Sequence, residues 1–94
     1  MKNVAKAVGA SVEKNGPVNL EEILSSYLNE LGTRILSHRK ASGMSQQALA
    51  DAADLDRTYI SAVEHGKQNV TVGAIVKLSI ALKIPLNQLL VGAT

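Results

Sequence analysis

The chain contains no cysteine, no tryptophan and no phenylalanine, only two tyrosines (Tyr27 and Tyr59) and only two prolines. Without cysteine there is no disulfide, no thiolate metal site and no cysteine nucleophile, which fits a reducing compartment. With 46% hydrophobic residues but almost no aromatic ones, the core must be built from Leu, Ile, Val and Ala. Those residues favour closely packed helices, so an all-α fold is expected. At 94 residues the chain has room for one small domain with one compact core. The longest apolar stretch, Val70 to Leu86, is interrupted by Lys77 and Lys83 and is short for a bilayer span. Lys6 and Gly9 break any signal-peptide core near the start. The expectation is a cytoplasmic protein without a membrane partner.

Net charge is only +2, but it is unevenly placed. Residues 1–32 hold three Lys against four Glu, while residues 33–94 hold seven Lys or Arg against four Asp or Glu. The later part is therefore the basic one, a weak pointer to a polyanionic partner.

Apolar positions recur at helical spacing along the chain. Val4, Val8 and Val12 suggest a short helix before the "NGP" breaker at 15–17. Asn19 with Glu22 resembles a capping box that opens a run from Leu20 through Tyr27 to Leu36, as one long helix or as two divided at Gly32. "ASGMS" ends that run, and Ser45 caps a short helix over residues 46–53. The "DLD" turn at 54–56 follows, with Asp56 as the next cap, and a third helix runs from Arg57 to about His65, where Gly66 stops it. Thr71 caps a helix over about Val72 to Leu82, ended by Pro85, and Leu86, Leu89 and Leu90 lie on a last short helix.

The informative object is the pair of short helices across 46–65, joined by a turn that permits only a sharp crossing. Such a crossing needs a small residue at the contact, a turn residue that tolerates positive φ, and branched apolar residues facing back. Ala50 is the small residue, Asp54 sits in the turn, and Leu55, Ile60 and Val63 face inward.

With the spacing Gln46, Ala50, Asp54, Ile60, Val63 inside "SQQALADAADLDRTYISAVEHGKQN", the chain resembles the helix-turn-helix of the Cro and phage-repressor class, the XRE family. Within that class "RTYIS" followed by "VEHGKQNVT" is most similar to the controller proteins of restriction-modification operons. The resemblance covers roughly residues 31–90. Asp54 stands where the family usually has glycine, and residues 1–27 form an extension that the minimal domain lacks. It implies a compact five-helix domain over 28–94, with the extension, expected to be helical, in front of it.

On the helix that starts at Arg57, successive residues turn by about 100°, so Ile60 and Val63 define the buried direction while Thr58, Ser61, Ala62 and His65 point the other way. That outward face is small and polar. By resemblance, Arg57, Thr58 and Ala62 are base-edge positions, with Asp56 and Ser61 as neighbours: arginine donates to guanine, and Thr58 and Ala62 suit a thymine methyl. Gln46 matches the phosphate-contacting glutamine of the family, and Tyr59, Lys67, Gln68 and Asn69 are further backbone-contact candidates. Asp51, Asp54 and Asp56 read as capping or dipole-complementing residues. Arg39 and Glu64 are expected to pair, fixing the recognition helix. His38 and His65 lack any ligand constellation, so neither metal nor cofactor is expected.

One recognition helix reads too few base pairs to select a site, so a two-fold homodimer on palindromic duplex DNA is expected, with Ile84, Leu86, Leu89, Leu90 and Val91 as its interface. A sequence-specific transcriptional regulator is the leading function. The second reading is an antitoxin-type module that also docks a protein partner, through the extension. An enzyme is not expected, since no nucleophile–base pair, metal-ligand spacing or phosphate loop occurs.

Overall fold

The structure, a computed structural model, describes residues 19–91. The expected helix around Val4, Val8 and Val12 lies outside these residues. Five helices follow one another without a strand among the described residues: α1 Leu20–Ala41, α2 Gln46–Ala53, α3 Arg57–Glu64, α4 Val72–Leu82 and α5 Leu86–Val91. None is long and apolar enough to cross a membrane.

Helix α1 starts where Asn19 accepts a hydrogen bond from the Glu22 N–H at 3.1 Å. Glu21 and Glu22 in its first turn, and His38, Arg39 and Lys40 in its last, complement the helix dipole. It runs unbroken through Gly32 and past residue 27 as one helix. Gly32 is buried, and its role is close approach rather than helix breaking. A Cβ here would press into the Val63 carbonyl oxygen and lie 2.9 Å from that of Glu64, so the end of α3 rests directly on the α1 backbone.

Four helices end in the same way. In the Schellman pattern, a residue in left-handed conformation lets the next N–H reach back to a carbonyl five residues earlier. That bond is Met44 to Arg39 after α1, Leu55 to Ala50 after α2, Lys67 to Ala62 after α3 and Ile84 to Ser79 after α4. The left-handed residues are Gly43, Asp54, Gly66 and Lys83. Three of the residues that reach back, Met44, Leu55 and Ile84, also pack against the core, so each stop folds the chain inward. Lys83, rather than Pro85, ends α4, because the left-handed turn comes two residues before the proline. Pro85 instead opens α5, its carbonyl accepting from Gln88 and Leu89.

Ser45 and Thr71 cap α2 and α4 by accepting from Ala48 and Ala74. Asp56 occupies the N-cap position of α3 without making a side-chain capping bond, so its carboxylate acts there only through its charge. The core is aliphatic, with Ile35, Leu49, Ile60, Val63, Leu78 and Leu89 fully buried. Ala50, also at zero exposure, is the small residue at the α2–α3 crossing. Helix α5 is held to α1 by Arg34, whose Nε donates to the Leu89 carbonyl at 2.7 Å and whose Nη2 donates to that of Leu90 at 2.6 Å. A cation thus caps the carbonyl end of the last helix.

Two stability changes follow. Gly32→Ala forces α3 off α1 and should destabilise the fold by about 1–3 kcal/mol, the overpacking range, read by urea denaturation. Lys83→Gly relieves a left-handed residue that makes no side-chain bond among the described residues, and should stabilise by about 0.5–1 kcal/mol in the same assay.

Candidate nucleic-acid interface

Helices α2 and α3 pack against each other across the turn at Asp54, whose φ of 54° and ψ of 50° are left-handed. Aspartate visits this region more readily than most residues, so it substitutes for glycine at modest cost. Ile60 and Val63 anchor α3 in the core. The opposite side leaves Arg57 and Thr58 exposed and Ser61 and Ala62 half-buried. Asp56, Lys67 and Asn69 are also exposed, and Gln68 is half-buried. The side chains of Arg57, Thr58, Lys67, Gln68 and Asn69 make no hydrogen bond or ion pair with other described residues. These polar side chains are therefore free to reach an outside ligand.

Behind this face, one carboxylate gathers three helices. Arg39 Nε donates to Glu64 Oε2 at 2.6 Å and Nη2 to Oε1 at 3.1 Å, in a bidentate pair with both residues buried. Arg39 Nη1 also donates to the Met44 carbonyl at 2.8 Å. The hydrogen bonds to Glu64 raise the Arg39 guanidinium above its ordinary value, against the opposing effect of burial. On the α2 side, Gln46 Nε2 donates to Glu64 Oε1 at 3.0 Å. The sequence points to the Arg39–Glu64 pair through the resemblance; it gives no sign of the third member, because a glutamine contact over eighteen positions leaves no local pattern.

Other placements differ from expectation. Leu89 is fully buried beneath α1 and α4 and offers no interface surface, while Ile84 packs partly against the core. Leu86, Leu90 and Val91 remain exposed, at 38, 45 and 65%. Tyr59 packs its ring on the core, and its hydroxyl is buried without a hydrogen-bond partner among the described residues, so in this conformation it does not reach the surface. Asp51 falls in the later half of α2, where a negative charge opposes the helix dipole, and it accepts from Gln47 Nε2 at 2.9 Å instead. Asp54 lies 3.9 Å from Lys77 of α4, in an exposed pair. His65 ends α3 with Nδ1 2.7 Å from the Ser61 carbonyl.

Comparison with known proteins agrees with this architecture. Control protein C.MunI of Mycoplasma sp is 41% identical over 59 residues, 62% of this chain and 80% of that protein. Control protein C.SmaI of Serratia marcescens is 37% identical over 60 residues, 64% of this chain and 71% of that one. Among solved structures, the restriction-modification controller protein C.AhdI from Aeromonas hydrophila matches with a TM-score of 0.65 at 42% identity, over 66% of this chain and 94% of the other. The controller C.Esp1396I, solved as a tetramer in complex with its natural 35 base-pair operator, matches with a TM-score of 0.64 at 29% identity, over 69% of this chain and 90% of the other. The Helix-turn-helix family HTH_3 matches residues 35–89, from the middle of α1 to the last helix, and the chain belongs to this family in its XRE form.

Proposed function

We propose that the protein is a sequence-specific DNA-binding transcriptional regulator that reads the major groove as a two-fold dimer and acts in the cytoplasm. The observation that carries this reading is the α3 face. A helix anchored by Ile60 and Val63 turns one long donor, Arg57, and three short side chains, Thr58, Ser61 and Ala62, away from the core. Short side chains let a helix approach base edges, and a single guanidinium at its N-terminal end suits bidentate donation to guanine. Lys67, Gln68 and Asn69, in the loop after α3, are suited to the flanking phosphates, as is Gln46 at the start of α2. A Tyr59 phosphate contact would need its buried hydroxyl to turn outward.

The controller C.Esp1396I is an oligomer on an operator, and the same arrangement is proposed here. Leu86, Leu90 and Val91 supply the exposed apolar surface for the two-fold contact. The antitoxin-type reading is not favoured, since the similar proteins are control proteins.

Binding titrations on specific and scrambled duplexes across salt concentrations test the reading. Arg57→Ala should cost roughly 1–3 kcal/mol on the preferred site and relax selectivity at one position per half-site, leaving non-specific binding little changed. Equal weakening of both duplexes would make Arg57 a phosphate clamp and pass base reading to Thr58, Ser61 or Ala62. Lys67→Ala should weaken both duplexes alike and flatten the salt dependence by about one unit for each contact removed. Half-site centres should lie about 34 Å apart, one turn of duplex.

A further inference from the structure

We infer that Glu64 is a positioning residue for Gln46, so that the carboxylate fixing the recognition helix also aims an amide at the DNA backbone. The inference rests on the reading of Gln46 as a phosphate contact. A carboxylate is an acceptor only, so the Gln46 amide must turn its nitrogen, not its oxygen, toward Glu64. The 3.0 Å bond to Oε1 uses one Nε2 proton and leaves the second as a donor. Gln46 is the first residue of α2, and Ser45 already serves the Ala48 N–H. The Gln46 and Gln47 backbone N–H groups precede the first intrahelical bond, so the spare amide proton belongs to an end of the helix already rich in donors.

Glu64 cannot drift, because Arg39 grips both of its oxygens and is itself tied to the Met44 carbonyl. A glutamine free to rotate surrenders side-chain entropy when it binds a phosphate, whereas one held by Glu64 has lost it on folding. Glu64 never touches DNA in this scheme; it acts through Gln46.

The test is a double-mutant cycle on the full chain, with affinity for a non-specific duplex measured at fixed salt. Gln46→Ala is made in the wild type and in an Arg39→Met/Glu64→Leu background, where the buried pair is replaced by apolar side chains of similar size so that no charge is stranded. Gln46→Ala should weaken binding about tenfold in the wild type, the loss of one hydrogen bond to a charged group, and less than twofold in the apolar background. The same factor in both backgrounds would overturn the positioning role while leaving the phosphate contact standing. No effect in the wild type would overturn both.

Should the apolar variant not fold, nuclear magnetic resonance of the free wild-type protein decides. The Gln46 Nε2 protons should show shifts displaced from those of a free amide and slowed exchange with solvent, and these should revert in Glu64→Gln with the helices still folded. Free-amide shifts and rapid exchange in the wild type would overturn the inference.

Discussion

The placement of α3 depends on the Glu64 carboxylate. It stands at the end of the recognition helix and accepts from α1 through Arg39 and from α2 through Gln46, while Arg39 also holds the loop between them at Met44. As a contribution to net stability such a pair is modest, because desolvating both ions offsets most of their attraction. Its effect is on geometry. Apolar packing of Leu, Ile and Val tolerates small rotations and slides at little cost, whereas two parallel N–H···O bonds fix distance and angle together. The glycine at position 32 completes the constraint, since it lets the last carbonyls of α3 sit on the α1 backbone. In the proposed reading, recognition at base edges requires a helix held firmly in place, and the buried ion pair supplies directional contacts that an aliphatic core alone does not.

The helix ends do comparable work at the scale of the whole domain. A small chain with almost no aromatic residues has limited area to bury, and four Schellman turns let short helices stop without orphaned carbonyls while driving Met44, Leu55 and Ile84 into the core. At Asp54 and Lys83 this is achieved with non-glycine residues in left-handed conformation. The strain at Asp54 buys the crossing angle of α2 and α3.

Local chemistry was legible in the sequence, and long-range chemistry was not. Asn19, Ser45 and Thr71 act through residues three positions away, so their capping roles follow from neighbouring letters. The span of α4, Val72 to Leu82, is legible from its cap and periodicity, whereas its stop belongs to the left-handed Lys83 and not to Pro85, a proline commonly following such a stop by one or two residues. Asp56 has the right type and position for a cap, but a cap needs a side-chain rotamer as well as a position, and here the carboxylate makes no capping bond. Leu89 and Leu90 are adjacent leucines on one short helix; which of them is buried depends on how Arg34 seats α5 on α1, a contact across fifty-five positions. Within the candidate site, the inward set Ile60 and Val63 was readable from periodicity, whereas the Gln46–Glu64 bond required the folded chain.

The scarcity of basic residues in the recognition segment has a structural reason. Of the four acids between residues 45 and 66, Glu64 is buried and compensated by Arg39, so it does not contribute a bare charge to the surface. Asp51 is engaged by Gln47, and Asp54 stands near Lys77. Asp56 alone lies unbonded beside Arg57, at the positive end of the α3 dipole. The fold therefore compensates one of the four negative charges in full, the other three stay at the solvated surface, and Arg57 is presented against a face of small neutral side chains. A densely basic helix gains affinity for any phosphate backbone and loses discrimination with it. In the proposed reading, phosphates are left to Gln46 and to the loop after α3, and the exposed face of α3 is kept nearly neutral so that the fit to particular bases decides which sequence is held.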